Sequence, residues 1–295
     1  MIHYSNCPVC LSNEIQTLFS TKDFTVTGEI FPIAVCNNCT ARFTQDIPAA
    51  SAISKYYNSK NYVSHSETNT GIINKLYHAV RNYTLKSKIK LIEGFVSRGT
   101  ILDYGCGTGM FLSVIKNAGW DTYGMEPDGD ARKIAIENGA NVFSDKIKLE
   151  LIIKDKKLNV ITLWHVLEHV TDMSETLAFF KSKLNQEGIL IIAVPNYISY
   201  DAKYYKEYWA AYDVPRHLHH FELKSMKDLV EKAGFVLQET RPMKFDSFYV
   251  SMLSEKYKTG SVNLLKAFWI GLQSNLKAKN RFEYSSTIYV FKPNI

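Results

Sequence analysis

Four of the five cysteines lie within the first 39 residues, as Cys7, Cys10, Cys36 and Cys39. They form two Cys-x2-Cys pairs separated by 25 residues. Two residues between thiols let both sulfurs, and a few backbone N–H groups, face one ion. Two such pairs supply four thiolates, the donor set of a tetrahedral structural zinc with no position left open for catalysis. The start of the chain, Met1-Ile2-His3-Tyr4-Ser5-Asn6-Cys7, lacks a basic region followed by an apolar stretch. Export is therefore not expected, which disfavours two disulfides. Iron–sulfur ligand runs are spaced differently.

The second stretch that could do chemistry is Leu102-Asp103-Tyr104-Gly105-Cys106-Gly107-Thr108-Gly109. Alternate glycines after a strand allow a tight turn and let a ligand touch main-chain atoms, with a helix N-terminus behind them. Asp103 can order the loop and meet a cationic group. Glu126 follows 21 residues after Gly105, within Gly124-Met125-Glu126-Pro127-Asp128. A carboxylate at the end of the second strand accepts hydrogen bonds from ribose hydroxyls. Dinucleotide loops run Gly-x-Gly-x-x-Gly, whereas this run is Gly-x-Gly-x-Gly and is preceded by an acid. Asp103 would repel a pyrophosphate and attract a sulfonium or an ammonium.

The segment resembles motif I of the class I S-adenosylmethionine (SAM)-dependent methyltransferases, and the resemblance covers about residues 100–292. It implies an α/β fold with a doubly wound, seven-stranded Rossmann-like sheet whose last strand, Ser286–Phe291, is antiparallel. It also implies SAM as cofactor. Asp103, Gly105, Cys106, Gly107 and Gly109 would line its methionine and ribose side, and Glu126 with Pro127 would hold the ribose. Trp164, at the end of the fourth strand, joins the expected cofactor site. An acid after the third strand often meets the adenine, and Asp145 is the nearby candidate. Tyr57 and Tyr62 belong to the lead-in that covers the methionine end, with simple packing as the alternative. The cysteine module resembles a zinc ribbon, with Phe19, Phe24, Val26, Ile30 and Phe31 marking two or three short strands.

Two histidine-rich segments complete the candidates. Leu163-Trp164-His165-Val166-Leu167-Glu168-His169-Val170 follows the fourth strand, where side chains face the ligand crevice. It resembles the post-strand-four motif of ubiquinone-type methyltransferases, which commonly carry Glu at the place of His165. In some relatives, including small-RNA 2′-O-methyltransferases, acids and histidines so spaced hold a divalent metal. That implies His165, Glu168, His169 and a later histidine as ligands, against structural hydrogen bonding as the plain alternative. Trp209 and Asp213-Val214-Pro215-Arg216-His217-Leu218-His219-His220-Phe221 follow the fifth strand. This pattern resembles bacterial methyltransferases of deoxysugar and surface-polysaccharide pathways, several of which carry an N-terminal four-cysteine module. Arg216 would fork onto a phosphate or carboxylate. His217 or His220, with His165 as a further candidate, would be the general base, since an imidazole titrates near neutral pH.

The elements that must position these groups follow from texture. Residues 1–45 read as the metal module and 46–99 as a helical lead-in, with helices at Ala49–Tyr57 and Ile72–Phe95. Strands and helices then alternate through the methyltransferase domain, 100–295. Strands are predicted at Ile101–Tyr104, Thr122–Met125, Asn141–Phe143, Val160–Trp164, Ile189–Val194, Phe235–Glu239 and Ser286–Phe291. Such alternation predicts a largely parallel sheet covered on both faces. Near the C-terminus Val262, Leu265, Phe268, Trp269, Leu272 and Leu276 share a helical stripe. Packing on the sheet is its expected use, with a membrane surface or a dimer as alternatives.

Composition excludes several classes. With 46% hydrophobic and 22% charged residues the 295-residue chain can build a core and is not disordered. No apolar run approaches the roughly 18–20 residues of a spanning helix, so a cytoplasmic chain is expected. The net charge of +6 is uneven: residues 51–100 hold eight Lys/Arg against two Asp/Glu, and 101–150 hold five against eight. Basic flanks around an acidic centre suit a small anionic acceptor such as a phosphate-bearing metabolite, although scattered lysines also serve solubility. An RNA methyltransferase reading through the metal module is disfavoured. Lys22 and Arg42 there are set against Glu14, Asp23 and Glu29, with Asp46 just beyond, so nucleic acid is not an expected partner. The intact glycine loop and Glu126 argue against a third reading, a non-catalytic SAM-binding scaffold. The oligomeric state is left open.

Overall fold

A computed structural model of the chain describes residues 1–49, 52–57, 72–154 and 156–294, apart from the side chains of residues 54 and 72–77. Tyr62, and part of the lead-in helix expected over Ala49–Tyr57, lie outside the described residues. Within that stretch a 3-10 turn spans Ile53–Tyr56. The elements run β1 (Ile15–Lys22), β2 (Ile30–Cys36), β3 (Arg42–Thr44), α1 (Ile72–Glu93), β4 (Thr100–Tyr104), α2 (Met110–Asn117) and β5 (Asp121–Met125). Next come α3 (Gly129–Glu137), β6 (Val142–Phe143), α4 (Lys146–Ile152), β7 (Leu158–Trp164), α5 (Met173–Lys183), β8 (Leu184–Pro195) and α6 (Tyr200–Tyr205). The chain continues as β9 (His219–His220), α7 (Leu223–Lys232), β10 (Phe235–Pro242), α8 (Asp246–Thr259), α9 (Leu264–Ala278) and β11 (Ser286–Pro293).

Seven strands form one sheet in the order β10-β11-β8-β7-β4-β5-β6. β4 pairs parallel with β5 and β7, β5 with β6, and β7 with β8. β11 is antiparallel to both β8 and β10, as the methyltransferase resemblance implies. The strands are apolar on both faces because both are covered. Leu102, Leu163, Leu190 and Ile192 pack toward α5 and α7, while Ile101, Val160, Ile189 and Ile191 pack toward α1 and α2. The chain order reverses between β4 and β7, so the crevice opens at the C-terminal ends of these two strands.

A second, four-stranded antiparallel sheet has the order β1-β2-β3-β9. Its fourth strand is a surprise, because it comes from the histidine loop between β8 and α7. Arg42 pairs with His220 and Phe43 with His219. The cause is local: β3 has a free edge, and the two histidines present backbone groups that would otherwise be buried without partners. The cores also merge, since Cys7, Val9, Cys36, Cys39 and Phe43 belong to the same buried cluster as Phe221 and Met226.

An ion-pair network locks this junction. The Arg216 guanidinium is fully buried, with its side chain 0% exposed. Its Nε and Nη2 donate to Asp213 at 3.0 and 2.7 Å, Nη2 to Asp23 at 2.9 Å, and Nη1 to the Tyr56 carbonyl at 2.7 Å. Arg216 therefore does not fork onto a substrate anion, contrary to the sequence expectation. Its donors are spent joining the metal module, the lead-in and the histidine loop. Burial opposes ionisation of Asp23, yet Arg216 and Thr27 hold its carboxyl below the usual range. Removing one partner of such a network strands a buried charge. Arg216→Met should lower unfolding free energy by about 3–5 kcal/mol in a denaturant titration. A loss below about 1 kcal/mol, the range of an exposed pair, would contradict this account.

Candidate active site

The glycine loop leaves β4 with Gly105, Gly107 and Gly109 all at positive φ (78°, 54° and 73°), where side chains are strained. A Cβ on Gly105 would come within 2.5 Å of Val166 Cγ2, so the loops after β4 and β7 touch. A Cβ on Gly107 would meet nothing within 4 Å, which leaves open room over the loop for a ligand. The Gly105 and Cys106 N–H groups both donate to the Met125 carbonyl, at 2.7 and 3.1 Å. The Cys106 side chain turns inward among Leu112, Ala135 and Ala140, and burial raises its thiol pKa. The Cys106 thiol is thus committed to the protein interior.

Two acids flank the loop. Asp103 is buried and accepts from Thr162 Oγ1 at 2.6 Å. Burial pushes its carboxyl up to about 6, opposed by the Thr162 hydrogen bond and the charge of Lys88. Glu126 Oε2 accepts from Gly107 N–H at 2.8 Å and Oε1 from Asp128 N–H at 2.9 Å, and burial raises its carboxyl too. Pro127 follows in an exposed turn, where its carbonyl accepts from Arg132. Asp145 is already employed: it caps α4 through Lys148 N–H and accepts from Ser144 Oγ. Its carboxylate therefore has a capping role in the fold, whatever else it touches.

Sequence reasoning missed Lys88. Projecting from α1, its ammonium lies 3.9 Å from the centroid of the Trp164 ring. Burial lowers its pKa to about 8, against the pull of Asp103 and Asp246. Trp164 packs edge-on to Phe111, and its buried Nε1 has no partner among the described residues. Asp246 starts α8 and was also missed. The clue in both cases would have been a charged residue inside an otherwise apolar helical face, but α1 and α8 are far from the motifs in sequence.

His165 has left-handed backbone (φ 58°) and sits between two carboxylates. Its Nε2 donates to Asp246 Oδ2 at 3.0 Å, and its Nδ1 lies 3.4 Å from Glu168 Oε1. Burial opposes protonation, but the two acids raise its pKa to about 10. An imidazolium this stable holds its proton at neutral pH, so His165 is corrected from base to fixed cation.

His169, Glu168 and His217 converge, with one potential ligand atom from each within 4.8 Å of the others. Glu168 is 1% exposed, and the partner of its carboxylate on the other side is His165 Nδ1, 3.4 Å from Oε1. His217 Nδ1 donates to the Ala211 carbonyl at 2.8 Å, and His169 Nδ1 to the Arg216 carbonyl at 2.9 Å. A carbonyl only accepts, so both protons sit on Nδ1 and each Nε2 offers a lone pair. Burial and the neighbouring His217 lower the His169 pKa to about 4. Tyr57 Oη lies 3.4 Å from His169 Nδ1. The arrangement can accept a proton or hold a cation.

The other two histidines of this loop, His219 and His220, are structural. His220 is buried in β9, where its Nε2 lies 3.2 Å from Thr44 Oγ1, and burial holds its pKa well below the usual value. Thr44 spends its own proton on the His217 carbonyl, so His220 donates and is no base. His219 donates from Nε2 to the Val170 carbonyl at 3.0 Å. The four thiols also meet. Cys7 and Cys39 sulfurs lie 3.5 Å apart, as do those of Cys10 and Cys36. Four Zn–S bonds of roughly 2.3 Å in a tetrahedron require S···S near about 3.8 Å, so the quartet fits that ion. Val9 N–H, 3.4 Å from the Cys7 sulfur, supplies the backbone donor that such knuckles offer.

Comparisons with known proteins agree with this geometry. Residues 77–240, more than half of the chain, match the family described as a methyltransferase domain. A ubiquinone biosynthesis O-methyltransferase from Rickettsia bellii is 28% identical over 142 residues, covering 45% of this chain and 59% of that protein. The chain thus spans less than two thirds of that relative's length. A SAM-dependent methyltransferase from Archaeoglobus fulgidus superposes with a TM-score of 0.50 at 20% identity, over 75% of this chain and 100% of the other. Magnesium protoporphyrin IX methyltransferase from Synechocystis gives 0.52 at 12% identity, over 83% and 100%. These superpositions establish the fold, and the family match establishes kinship: the chain belongs to the methyltransferase-domain family and has the fold of the SAM-dependent methyltransferases.

Proposed function

We propose that this chain is a SAM-dependent methyltransferase acting on a small polar metabolite, a sugar or nucleotide sugar of a surface-polysaccharide or related pathway, with His217 as the base. One observation carries the reading. Glu168, His169 and His217 bring a buried carboxylate and two imidazoles together, one ligand atom from each within 4.8 Å of the others, at the end of the strand that neighbours the glycine loop. Family membership supports methyl transfer. The sugar class is supported by the run from Trp209 to Phe221. The four cysteines are assigned to one structural zinc, which the sulfur spacing supports.

Bound SAM supplies a methyl group on a sulfonium, which is a good leaving group. Asp103 would face its positive charge, and Glu126 would accept from the ribose hydroxyls with lone pairs that Gly107 and Asp128 leave free. A hydroxyl acceptor attacks poorly until its proton is removed. His217 is oriented for that task, because its Nδ1–H is held by Ala211 and its Nε2 carries the lone pair. As the hydroxyl takes the methyl group, its proton would pass to His217 Nε2. The Glu168 carboxylate stabilises the resulting imidazolium. A second reading has an observation in its favour: the same three acceptors suit a divalent cation softer than magnesium. A second metal ion, lost on Glu168→Gln but retained on Cys36→Ser, would favour it over His217 as base.

Three outcomes are expected. SAM needs Asp103 ionised, so protonation competes with binding. Calorimetric affinity should be flat above pH 7 and weaken by up to ~tenfold per unit below about 6. Asp103→Asn should bind weakly without that dependence, and a parent profile flat to pH 5 would refute the role. His217→Gln should lower kcat by roughly 10²–10⁴ with SAM affinity unchanged, measured with labelled SAM and a nucleotide-sugar panel. Unchanged turnover removes the base, and a panel with no methylated sugar removes the acceptor class. Metal analysis should find one zinc per chain in the parent and none in Cys36→Ser.

A further inference from the structure

The helix α9 is packed inside out for a sheet-covering helix. Its buried positions are Ala267, Ile270, Gly271, Ser274 and Ala278. Small residues let it approach α8 closely: a Cβ on Gly271 would lie 3.0 Å from the Phe248 backbone. Ser274 donates to the buried Asp201 carboxylate at 2.6 Å, which also accepts from Trp209 and Ser285. The large apolar side chains face outward instead, with Leu265 85% and Trp269 56% exposed, and Leu264, Phe268 and Leu276 exposed beside them. The expectation that this stripe packs on the sheet is therefore overturned.

The exposed face is continuous with a cavity. Phe268 stacks on Phe248 at 5.2 Å, and Phe248 lines a cavity of about 910 Å³ between α1 and α8. Tyr83 and Phe245, in edge contact at 5.9 Å and both exposed, also line it. Lys88 and Asp246, the groups beside Trp164 and His165, line it too. Charge on this side of the molecule is predominantly positive. Residues 241–281 contain eight Lys/Arg and only two acids. Both acids are engaged inside: Glu255 is buried and Asp246 is bonded to His165. Arg241 is paired with Glu239 and Lys266 with Glu255, and the other basic residues of the segment leave a net cationic border beside an apolar face rich in aromatic residues.

We propose that the outer face of α9 docks on an anionic lipid bilayer, with the mouth of the cavity at the same interface. Leucine, phenylalanine and tryptophan side chains on a helix with a basic border enter the headgroup boundary and lie in its plane. At 15 residues, α9 is too short to span, and no described helix is long and apolar enough to cross a membrane. A second copy of the chain fits less well. A two-fold contact would set the cationic border against its own copy, with no exposed acid from residues 241–281 to offset it. The inference does not depend on the identity of the acceptor.

Co-sedimentation of the full chain with phosphatidylcholine vesicles, with and without phosphatidylglycerol, tests it. Binding is expected to the anionic vesicles, weakened at least ~tenfold by 0.5 M salt or by omission of phosphatidylglycerol. Leu265→Ser combined with Trp269→Ser should reduce partitioning by at least ~tenfold. Its thermal unfolding and SAM affinity should match the parent, because neither side chain is in the core or the crevice. Trp269 is the exposed one of four tryptophans, so its emission should shift to the blue on vesicle addition and not in Trp269→Phe. Parent protein that stays in the supernatant overturns the proposal, as does a variant that binds equally well. Light scattering that finds a parent dimer and a variant monomer would overturn it as well, by assigning the face to a second copy.

Discussion

The buried Arg216 guanidinium is the contact on which the geometry of the crevice rests. It joins three segments distant in sequence: Asp23 of the metal module, the Tyr56 carbonyl of the lead-in and Asp213 of the histidine loop. A guanidinium cannot lose its charge, so burying it demands acids on more than one side. Once they are in place, the loop is anchored at residue 216. The Arg216 carbonyl then orients His169, and the adjoining residue is His217. Two residues on, the chain becomes β9 and completes the sheet of the metal module. A zinc-type module at one end of the chain is in this way a structural wall of the crevice built at the other.

Charges around the crevice alternate in sign. Asp103 is offset by Lys88, Lys88 also feels Asp246, Asp246 holds His165, and His165 faces Glu168. Each group taken alone would resist ionisation where it sits, as burial raises the carboxyl of Asp103 and lowers the pKa of Lys88. Together they make a polar seam that ends at His169 and His217. At one end of the seam is a carboxyl suited to a cation, and at the other a pair of imidazoles with free lone pairs.

The helices α8 and α9 show a different allocation of apolar surface. Between them the close approach is allowed by small residues and serine hydroxyls, with Gly271 against Phe248 and Ser247 donating to the Gly271 carbonyl. The bulk that would ordinarily fill a core is turned to solvent. Hydrogen bonds to Asp201 and backbone contact at Gly271 hold α9 in this rotation, so its exposed stripe is a consequence of close packing behind it.

The sheet, the glycine loop and the cysteine quartet were legible in the chain itself. Strand and helix periods are local properties. The Gly-x-Gly-x-Gly turn requires backbone that only glycine adopts freely, as the three positive φ angles show. The convergence of four thiols is encoded in Cys-x2-Cys spacing. What the sequence could not settle was the use of charged and histidine side chains, because each has several plausible partners. Arg216 read as an anion fork and became an internal tie, His220 read as a base and became a strand residue, and Asp145 read as a ligand contact and became a cap. Lys88, Asp246 and the exposed outer face of α9 emerged only when distant segments met. Local sequence determines which backbone shapes and ligand sets are possible. Long-range burial decides which charges are compensated internally, and therefore which remain free to do chemistry.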